Sequence, residues 1–156
     1  MIEMDKKIEL LKKIAHKFNE VNITWALGAS MLLYFKNITP DFHDIDLLIA
    51  DSDIECVKGI LNEMGTIQPS NPNPMYRTKA FMEFIIDSVE VDVMAGFAIV
   101  KDGVIYDCSL NEEQVVEWMP LGGERIPLQS PMLWCKYYKL MGRNEKAATI
   151  EKAMLN

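Results

Sequence analysis

Three aspartates stand at positions where their carboxylates could bind a divalent metal ion. Asp44 and Asp46 alternate with apolar residues at the start of the run 44–50, which has the pattern of a buried strand with a polar end. Side chains alternate between the two faces of a strand, so both carboxylates project to the same side, about 7 Å apart. Asp92 alternates with valines in a second β-prone run, 89–94, and would complete a three-carboxylate cluster if the two strands pair.

Such a cluster favours chemistry at phosphorus. Like charges a few ångströms apart repel and raise one another's pKa, and a divalent cation removes that cost. Oxygen-only ligation, with positions left open for phosphate and water, suits Mg²⁺ or Mn²⁺ better than Zn²⁺. Two such ions can serve an in-line displacement at phosphorus. The sequence therefore predicts that Asp44, Asp46 and Asp92 are metal ligands and catalytic residues.

A glycine turn provides a second element, which would face a triphosphate. The β-prone run 23–27 stops at Gly28, and residues 31–35 have the composition of a short buried helix. A strand that passes through Gly-Ala-Ser into a helix directs backbone amides at an anion beside the helix N-terminus. Gly28, Ala29 and Ser30 are therefore predicted to bind nucleotide phosphates, with the Ser30 hydroxyl as an additional donor.

Other interpretations of these residues stay open. Asp44 and Asp46 could instead form a polar strand end whose carboxylates bond to loop amides. Glu90 lies on the same predicted strand face as Asp92 and is its substitute as the third carboxylate. His43, beside Asp44, could orient a ligand or a leaving group, although a loop histidine is more often a surface residue.

Taken together, these residues resemble the signature of the nucleotidyltransferase superfamily of DNA polymerase beta-like proteins. That signature is an apolar residue, Gly, and then Gly or Ser, followed by two aspartates that alternate with apolar residues. Here the two parts are 27–30 and 44–47. Thirteen residues separate Ser30 from Asp44, where the family has roughly nine to thirteen. The third carboxylate of the family lies on a later strand, as Asp92 does.

The chain is most similar in size and layout to minimal and antibiotic-type members, which transfer a nucleoside monophosphate to a drug, a protein or an RNA end. The resemblance implies an α+β (mixed α/β) nucleotidyltransferase fold, a nucleoside triphosphate such as ATP as substrate, and Mg²⁺ or Mn²⁺ as cofactor. It implies transfer to an acceptor hydroxyl with release of pyrophosphate. It also implies that Lys136, on a helix after the segment 126–131, neutralises the triphosphate, and that Arg143 belongs to a basic stretch that follows.

Two other functions remain open. The chain could be a non-catalytic nucleotide-binding protein or a toxin–antitoxin component of the same fold, because Ala29 stands where the family has Gly or Ser. It could also be a metal-dependent phosphohydrolase that uses the same acids. The acceptor cannot be named from the fold, since one scaffold serves unrelated substrates.

Hydrophobic periodicity predicts a small mixed sheet flanked by helices, which would position these residues. One amphipathic helix follows Asp5 as its N-cap, and another begins at a capping box of Ser52 and Glu55 and stops at Gly65. Further predicted elements are an exposed loop at 68–74, a hairpin turning at 87–88, turns at 102–103 and 122–123, and helices opening at Ser130 and Asn144. We expect one domain over 1–156, with a catalytic core at about 1–110 and a C-terminal helical segment at about 130–156.

Composition limits the partners of the protein. The 156 residues carry a formal net charge of −7, with Lys and Arg scattered along the chain, so broad nucleic-acid binding is not expected, while an RNA end stays open. Three distant cysteines suggest neither a zinc knuckle nor a disulfide framework. The N-terminus lacks the pattern of a signal peptide, and we expect a cytoplasmic protein with no membrane partner. A homodimer or a partner protein remains open.

Overall fold

The structure is a computed structural model that describes residues 2–155, apart from the side chain of Ile2; the two end residues of the predicted domain lie outside the described residues. Over that range the chain forms five α-helices and nine β-strands. The helices are α1 (Ile2–Glu20), α2 (Ala29–Phe35), α3 (Ile54–Met64), α4 (Pro131–Leu140) and α5 (Asn144–Met154). The strands are β1 (Trp25–Gly28), β2 (Ile45–Ile49), β3 (Thr66–Ile67), β4 (Ala80–Ile86), β5 (Val89–Ala95), β6 (Ala98–Lys101), β7 (Val104–Asp107), β8 (Glu117–Leu121) and β9 (Glu124–Leu128).

A mixed sheet of seven strands organises the molecule, in the order β3-β4-β5-β2-β1-β9-β8, while β6 and β7 form a separate antiparallel ribbon. β1 runs antiparallel to β2, and β2 runs parallel to β5. The strand that follows Asp44 therefore lies directly beside the strand that carries Asp92. The strand pairing on which the three-carboxylate hypothesis depends is confirmed, as is the α+β class with a small mixed sheet.

Helices pack their apolar sides onto this sheet. The predicted apolar stripe of α1 is confirmed, since Leu11, Ile14 and Phe18 are fully buried. α3 contacts β3 and β4, and α2 contacts β1, β2 and α4. In β5, Val91 and Val93 are fully buried in the core. Because side chains alternate along a strand, Asp92 between them faces the opposite side of the sheet.

A tight hairpin fixes the register of β4 against β5. Its turn residues, Asp87 and Ser88, have left-handed backbone angles, with φ of 50° and 67°, which is typical of the two-residue turns that match the twist of hairpin strands. This register pairs Glu83 with Asp92. The predicted hairpin is confirmed, and so are the turns at 102–103 and 122–123, which join β6 to β7 and β8 to β9.

The first helix begins earlier than the sequence predicts. α1 starts at Ile2, so Asp5 lies in its first turn and is not the N-cap. In the first turn its carboxylate still interacts favourably with the positive end of the helix dipole. The acidic residue thus marks the correct end of the helix, but the exact first residue does not follow from the type of one side chain.

The capping box predicted for Ser52 and Glu55 is wrong. A short 3-10 turn, Asp51–Asp53, precedes α3, and the structure shows no side-chain hydrogen bond at either cap. Oδ2 of Asp53 accepts a 2.9 Å hydrogen bond from the backbone N–H of Thr24. This side chain therefore ties the start of α3 to the entrance of β1 and is not used to cap its own helix.

The C-terminal helices match their predicted boundaries. The Ser130 hydroxyl accepts a 3.1 Å hydrogen bond from the backbone N–H of Met132, and Pro131 occupies the first turn of α4. α5 spans the predicted residues 144–154. Of the helices between residues 2 and 155, none combines the length and the apolar composition needed to cross a membrane.

Candidate active site

Two of the predicted acids, Asp46 and Asp92, lie in a row that crosses four neighbouring strands. Gly28 of β1 is paired with Asp46 of β2, Asp46 with Asp92 of β5, and Asp92 with Glu83 of β4. Paired residues share one face of the sheet, and neighbouring strands lie about 4.8 Å apart. Asp46 and Asp92 are therefore direct neighbours, while Gly28 and Glu83 stand at opposite ends. We call these four residues the cross-strand row.

A cavity of about 520 Å³ opens over the middle of this row, at Asp46 and Asp92. Asp44, Asp46 and Asp92 all line it, as do Ala29 and Ser30. The structure therefore brings the three predicted carboxylates together with two of the three residues predicted to bind phosphates. Gly28, the third of those residues, is buried at the end of β1.

Asp46 is the predicted acid whose ionisation is opposed by burial and by both of the other aspartates. Burial raises the pKa of Asp46 well above its usual range, and repulsion from Asp92 and then Asp44 raises it further. Lys146 and Arg143 oppose this shift, because a nearby cation favours the charged carboxylate. The cations of the site thus act on the Asp46 side of the row.

Asp92 has a different set of charged neighbours. Burial is the largest cause that raises the pKa of Asp92 to about 7, and a hydrogen bond with Asp46 acts in the opposite direction. Repulsion adds to the shift and comes from Asp44, Glu83 and Glu90. The charges that act most strongly on Asp92 are therefore all negative.

Glu90, the substitute for Asp92, occupies a different place. Its side chain is exposed, and it shares a hydrogen bond with Asp44 that raises the pKa of Glu90. Asp92, by contrast, lines the cavity and hydrogen-bonds to Asp46. This placement favours Asp92 as the third carboxylate and makes Glu90 a partner of Asp44.

The donor set at the row fits a hard divalent cation. The carboxylates of Asp44, Asp46 and Asp92 line one cavity and repel one another, and the cavity leaves room for phosphate and water oxygens; such oxygens are the ligands that Mg²⁺ and Mn²⁺ prefer. In the part of the chain described here, no three His, Cys, Asp or Glu side chains already stand in metal-binding geometry.

A buried tryptophan explains why position 28 requires glycine. A Cβ atom on Gly28 would lie 2.6 Å from Cζ2 of Trp134, far inside van der Waals contact. Nε1 of Trp134 donates a 2.8 Å hydrogen bond to Oε1 of Gln129, which is fully buried. The indole also stacks on Phe97, with ring centroids 6.1 Å apart. The glycine turn therefore packs against an indole ring that is fixed by a hydrogen bond to Gln129 and by stacking on Phe97.

The next residue, Ala29, has an unusual backbone. Its φ is 53°, in the left-handed region, which costs a residue with a Cβ roughly 1–2 kcal/mol. Such strain clusters at binding and catalytic sites, where the surrounding structure enforces it. Because Ala29 and Ser30 line the cavity, the strained turn sets the direction of the chain at the cavity wall.

The cation predicted for the triphosphate is not the one that reaches the cavity. Lys136 is exposed on α4 and stands outside the cavity lining, and its charge acts on the thiol of Cys108. Arg143 and Lys146, three residues apart at the start of α5, line the cavity instead. Sequence analysis places Arg143 in a basic stretch but misses Lys146. Their spacing, which puts both on one side of a helix turn, is the signal that could have found the pair.

The raised pKa of Asp92 predicts that stability depends on pH. Between the ordinary value of 3.8 and about 7, the folded protein binds more protons than the unfolded chain, so the free energy of unfolding falls as pH rises through this window. In EDTA, Asp92→Asn should flatten this fall and melt roughly 4 °C above the wild type at pH 8. Thermal melts between pH 4 and pH 8 measure this, with Asp102→Asn in an exposed turn as the control. Parallel curves for the wild type and Asp92→Asn would contradict the shift.

Comparison with known proteins rests on structure. No family profile matches the sequence, and no curated protein matches it. TM1012 of Thermotoga maritima, provisionally described as a nucleotidyltransferase, superposes with a TM-score of 0.76 at 22% identity, over 96% of this chain and 93% of its own. The antibiotic-resistance factor ANT(2″)-Ia gives a TM-score of 0.68 at 13% identity, over 97% of this chain and 85% of its own.

A third solved structure extends the same likeness. The lincosamide antibiotic adenylyltransferase LnuA, bound to lincomycin, superposes with a TM-score of 0.61 at 14% identity, over 90% of this chain and 94% of its own. At these identities the likeness shows the fold. The chain has the nucleotidyltransferase fold, which confirms the fold that the sequence resemblance implies.

Proposed function

We propose that this protein is a metal-dependent nucleotidyltransferase, which transfers a nucleoside monophosphate from a nucleoside triphosphate to an acceptor hydroxyl. The cross-strand row carries the proposal, because it sets Asp46 and Asp92 side by side under one cavity, with the strained glycine turn beside them. The shared fold supports it, since one structure with that fold is an adenylyltransferase. A fold alone does not fix a function, so the argument depends on the site.

The two cations that line the cavity, Arg143 and Lys146, indicate where the triphosphate would bind. A nucleoside triphosphate is strongly anionic and is stabilised where cations meet it. Arg143 and Lys146 line the cavity and act on Asp46, so the β- and γ-phosphates belong at that end of the row. The Ser30 hydroxyl lines the same cavity and can donate a hydrogen bond to a phosphate oxygen.

The three aspartates are the residues that would hold Mg²⁺ or Mn²⁺. A bound cation of this kind removes the repulsion among Asp44, Asp46 and Asp92 and neutralises charge on the phosphate oxygens. Asp92 is paired with Asp46 on one side and with Glu83 on the other, on the side of Asp46 opposite Gly28. It therefore faces the direction from which an acceptor would approach an α-phosphorus whose β- and γ-phosphates lie at the cations.

In the proposed transfer every bond formed and broken is accounted for, and Asp92, Arg143 and Lys146 are the protein groups that take part. The acceptor hydroxyl oxygen bonds to the α-phosphorus while its proton passes to the Asp92 carboxylate. The bond between the α-phosphorus and the oxygen shared with the β-phosphate breaks, and pyrophosphate leaves with that electron pair. Arg143 and Lys146 attract the departing pyrophosphate, and the nucleoside monophosphate stays on the acceptor.

Labelled ATP tests the reaction. With Mg²⁺ and native cell extract, label at the α-phosphate should become attached to an acceptor, while label at the γ-phosphate should appear in pyrophosphate. EDTA should stop both. ATP should also raise the melting temperature only when Mg²⁺ or Mn²⁺ is present, because a ligand stabilises the state that binds it.

Other outcomes separate the alternatives. Release of γ-label as free phosphate, with α-label attached to nothing, would favour the phosphohydrolase. Binding of ATP without movement of either label would favour the non-catalytic or toxin–antitoxin component. Equal thermal shifts with and without EDTA would reject the metal-dependent site.

A further inference from the structure

A fully buried amide stands behind the glycine turn. Gln129 directly follows β9, is fully buried, and lies outside the lining of the cavity. Its backbone N–H donates a 3.3 Å hydrogen bond to the carbonyl oxygen of Leu27, the residue before Gly28. Its side-chain oxygen accepts the 2.8 Å bond from Nε1 of Trp134. Gln129 therefore contacts the strand that enters the turn through its backbone, and the ring beside the turn through its side chain.

The side chain of Gln129 belongs to a chain of hydrogen bonds whose direction is fixed. An indole N–H can only donate, so the oxygen of Gln129 must face Trp134 and its NH₂ group must face the other way. That NH₂ group donates a 3.1 Å bond to Oε1 of Gln114. The same oxygen accepts a 3.2 Å bond from the backbone N–H of Asn111, which also can only donate. The donors at both ends of the chain therefore leave each amide a single orientation.

The edge of Trp134 that carries the N–H group is also the edge that contacts the turn. A Cβ atom on Gly28 would lie 2.6 Å from Cζ2, 2.7 Å from Nε1 and 2.8 Å from Cε2 of this ring. The same nitrogen is bonded to Gln129. Ala29, next in the chain, has the left-handed φ of 53°, and such strain persists only where the surrounding structure enforces it. The fixed edge of the indole is in position to enforce it.

We infer, on the basis of the proposed function, that Gln129 is a positioning residue for triphosphate binding. It holds the indole of Trp134 against Gly28. The indole keeps the glycine turn in the conformation in which Ala29 and Ser30 line the cavity. When the ring is released, the turn spends part of its time in unstrained conformations, and the apparent Kd for a nucleotide rises by the inverse of the fraction that remains competent.

Calorimetry with Mg²⁺ and a non-hydrolysable ATP analogue measures this role. Gln129→Met keeps the approximate volume of the side chain and removes both of its polar contacts. It should weaken binding about tenfold, as expected when the turn is competent about a tenth of the time. Val57→Ala is the control for lost stability, since Val57 is fully buried in α3 and outside the cavity lining. This control should lower the melting temperature and leave the Kd unchanged.

Two milder variants test the same chain of hydrogen bonds from its outer end, and they decide the question if Gln129→Met does not fold. Gln114 is partly exposed and ends the short 3-10 turn Glu112–Gln114. Gln114→Glu keeps an oxygen that accepts from Gln129 and from Asn111, and it should bind the analogue as the wild type does. Gln114→Leu removes that oxygen and should weaken binding about threefold.

Hydrogen exchange of the indole N–H groups, measured by NMR, tests the position of the ring without any ligand. The indole N–H of Trp134 should exchange at least about tenfold faster in Gln129→Met than in the wild type, with a changed chemical shift. Trp25 is the internal control, because it is buried and its Nε1 donates to Oδ1 of Asn19, which these variants leave in place. A protein that had only lost global stability would show faster exchange at both indoles.

Each contrary result has a definite meaning. Faster exchange at Trp134 with an unchanged Kd would overturn the link between the ring and the phosphates, while the proposed transferase stands. Unchanged exchange at Trp134 would overturn the link between Gln129 and the ring. Equal losses of binding in Gln129→Met and Val57→Ala would show an effect of stability alone. If the analogue fails to bind the wild-type protein with Mg²⁺, the proposed function and the role of Gln129 in it are both rejected.

Discussion

Asp46→Asn is expected to lower the rate of nucleotidyl transfer by at least about a thousandfold, while the metal-free protein melts at a higher temperature than the wild type. Asp46 stands between the glycine turn and Asp92 in the cross-strand row, so it is the residue best placed to contact both a cation and the triphosphate. An amide at this position removes a charged oxygen ligand. It also removes a carboxylate whose ionisation is opposed by burial and by Asp92 and Asp44. Transfer of α-label from ATP and thermal melts in EDTA measure the two effects.

Neighbouring acids provide the controls for this variant. Asp92→Asn should cause a comparable loss of transfer, whereas Glu90→Gln should keep most of it, because Glu90 is exposed and holds Asp44 from outside the cavity. Asp102→Asn, in the turn between β6 and β7, should change neither activity nor stability. Transfer retained by Asp46→Asn would reject its catalytic role. A lower melting temperature would favour the interpretation in which the acid stabilises the fold through loop amides.

The placement of Asp44, Asp46 and Asp92 around one cavity could be predicted because it depends mainly on side-chain alternation along strands, which is local in the sequence. Alternation along a strand puts Asp44 and Asp46 on one side, and the valines around Asp92 identify the buried face of its strand. The two-residue turn at 87–88 then fixes which residue of β4 stands opposite Asp92. These patterns are local in the sequence, and tertiary packing did not change them. The pairing of β2 with β5 is the one long-range assumption, and it is confirmed, with the two strands parallel.

Tertiary packing decides which cationic side chains reach the cavity, and no local sequence pattern predicts that packing. Lys136 and Lys146 both lie on amphipathic helices, and periodicity shows which side of a helix is apolar but not which neighbour its polar side meets. Tertiary packing decides this: Arg143 and Lys146 line the cavity, while the charge of Lys136 acts on Cys108. Sequence analysis therefore finds the kind of residue required but not its position.

Exposure of an aromatic residue is equally hard to infer. Phe81 has the pattern of an ordinary strand residue, and Trp134 that of an ordinary core residue, because both are apolar residues in regular elements. The structure leaves the ring of Phe81 45% exposed and buries Trp134 to 2% exposure. The difference arises from the edge of the cavity, which forms between α4, β4 and the glycine turn after the chain has folded.

Gly28→Ala is expected to destabilise the protein by about 3 kcal/mol, because the new methyl group would overlap the indole of Trp134. The overlap would be severe, since the Cβ atom would lie 2.6 Å from Cζ2 and 2.7 Å from Nε1 of that ring. Trp134 is 2% exposed and cannot rotate without breaking its hydrogen bond to Gln129. For a domain of this size the melting temperature should fall by roughly 6–12 °C. Binding of ATP with Mg²⁺ should weaken as well, because the displaced turn carries Ala29 and Ser30.

A matched substitution separates steric overlap from the general effect of replacing glycine. Gly59 lies in α3 with nothing within 4 Å of the position of an added Cβ. Gly59→Ala should therefore stabilise the protein by roughly 0.5–1 kcal/mol, as alanine does inside a helix. If both variants were stabilised, the close contact between position 28 and Trp134 would be rejected.

A double-mutant cycle identifies the partner of the overlap. Trp134→Phe replaces the indole with a shorter phenyl ring that has no atom at the position of Cζ2 and no N–H group, which leaves Gln129 without its donor, so this variant alone should be less stable than the wild type. That cost is the same whether residue 28 is glycine or alanine and cancels in the cycle. The cost of Gly28→Ala should be smaller by roughly 1–2 kcal/mol in the Trp134→Phe background, because Cζ2, the atom closest to the added Cβ, is gone and the smaller ring has room to shift. Additive effects of the two substitutions would show that the requirement for glycine arises elsewhere, and would favour the proposed approach of phosphate to the backbone of the turn as its cause.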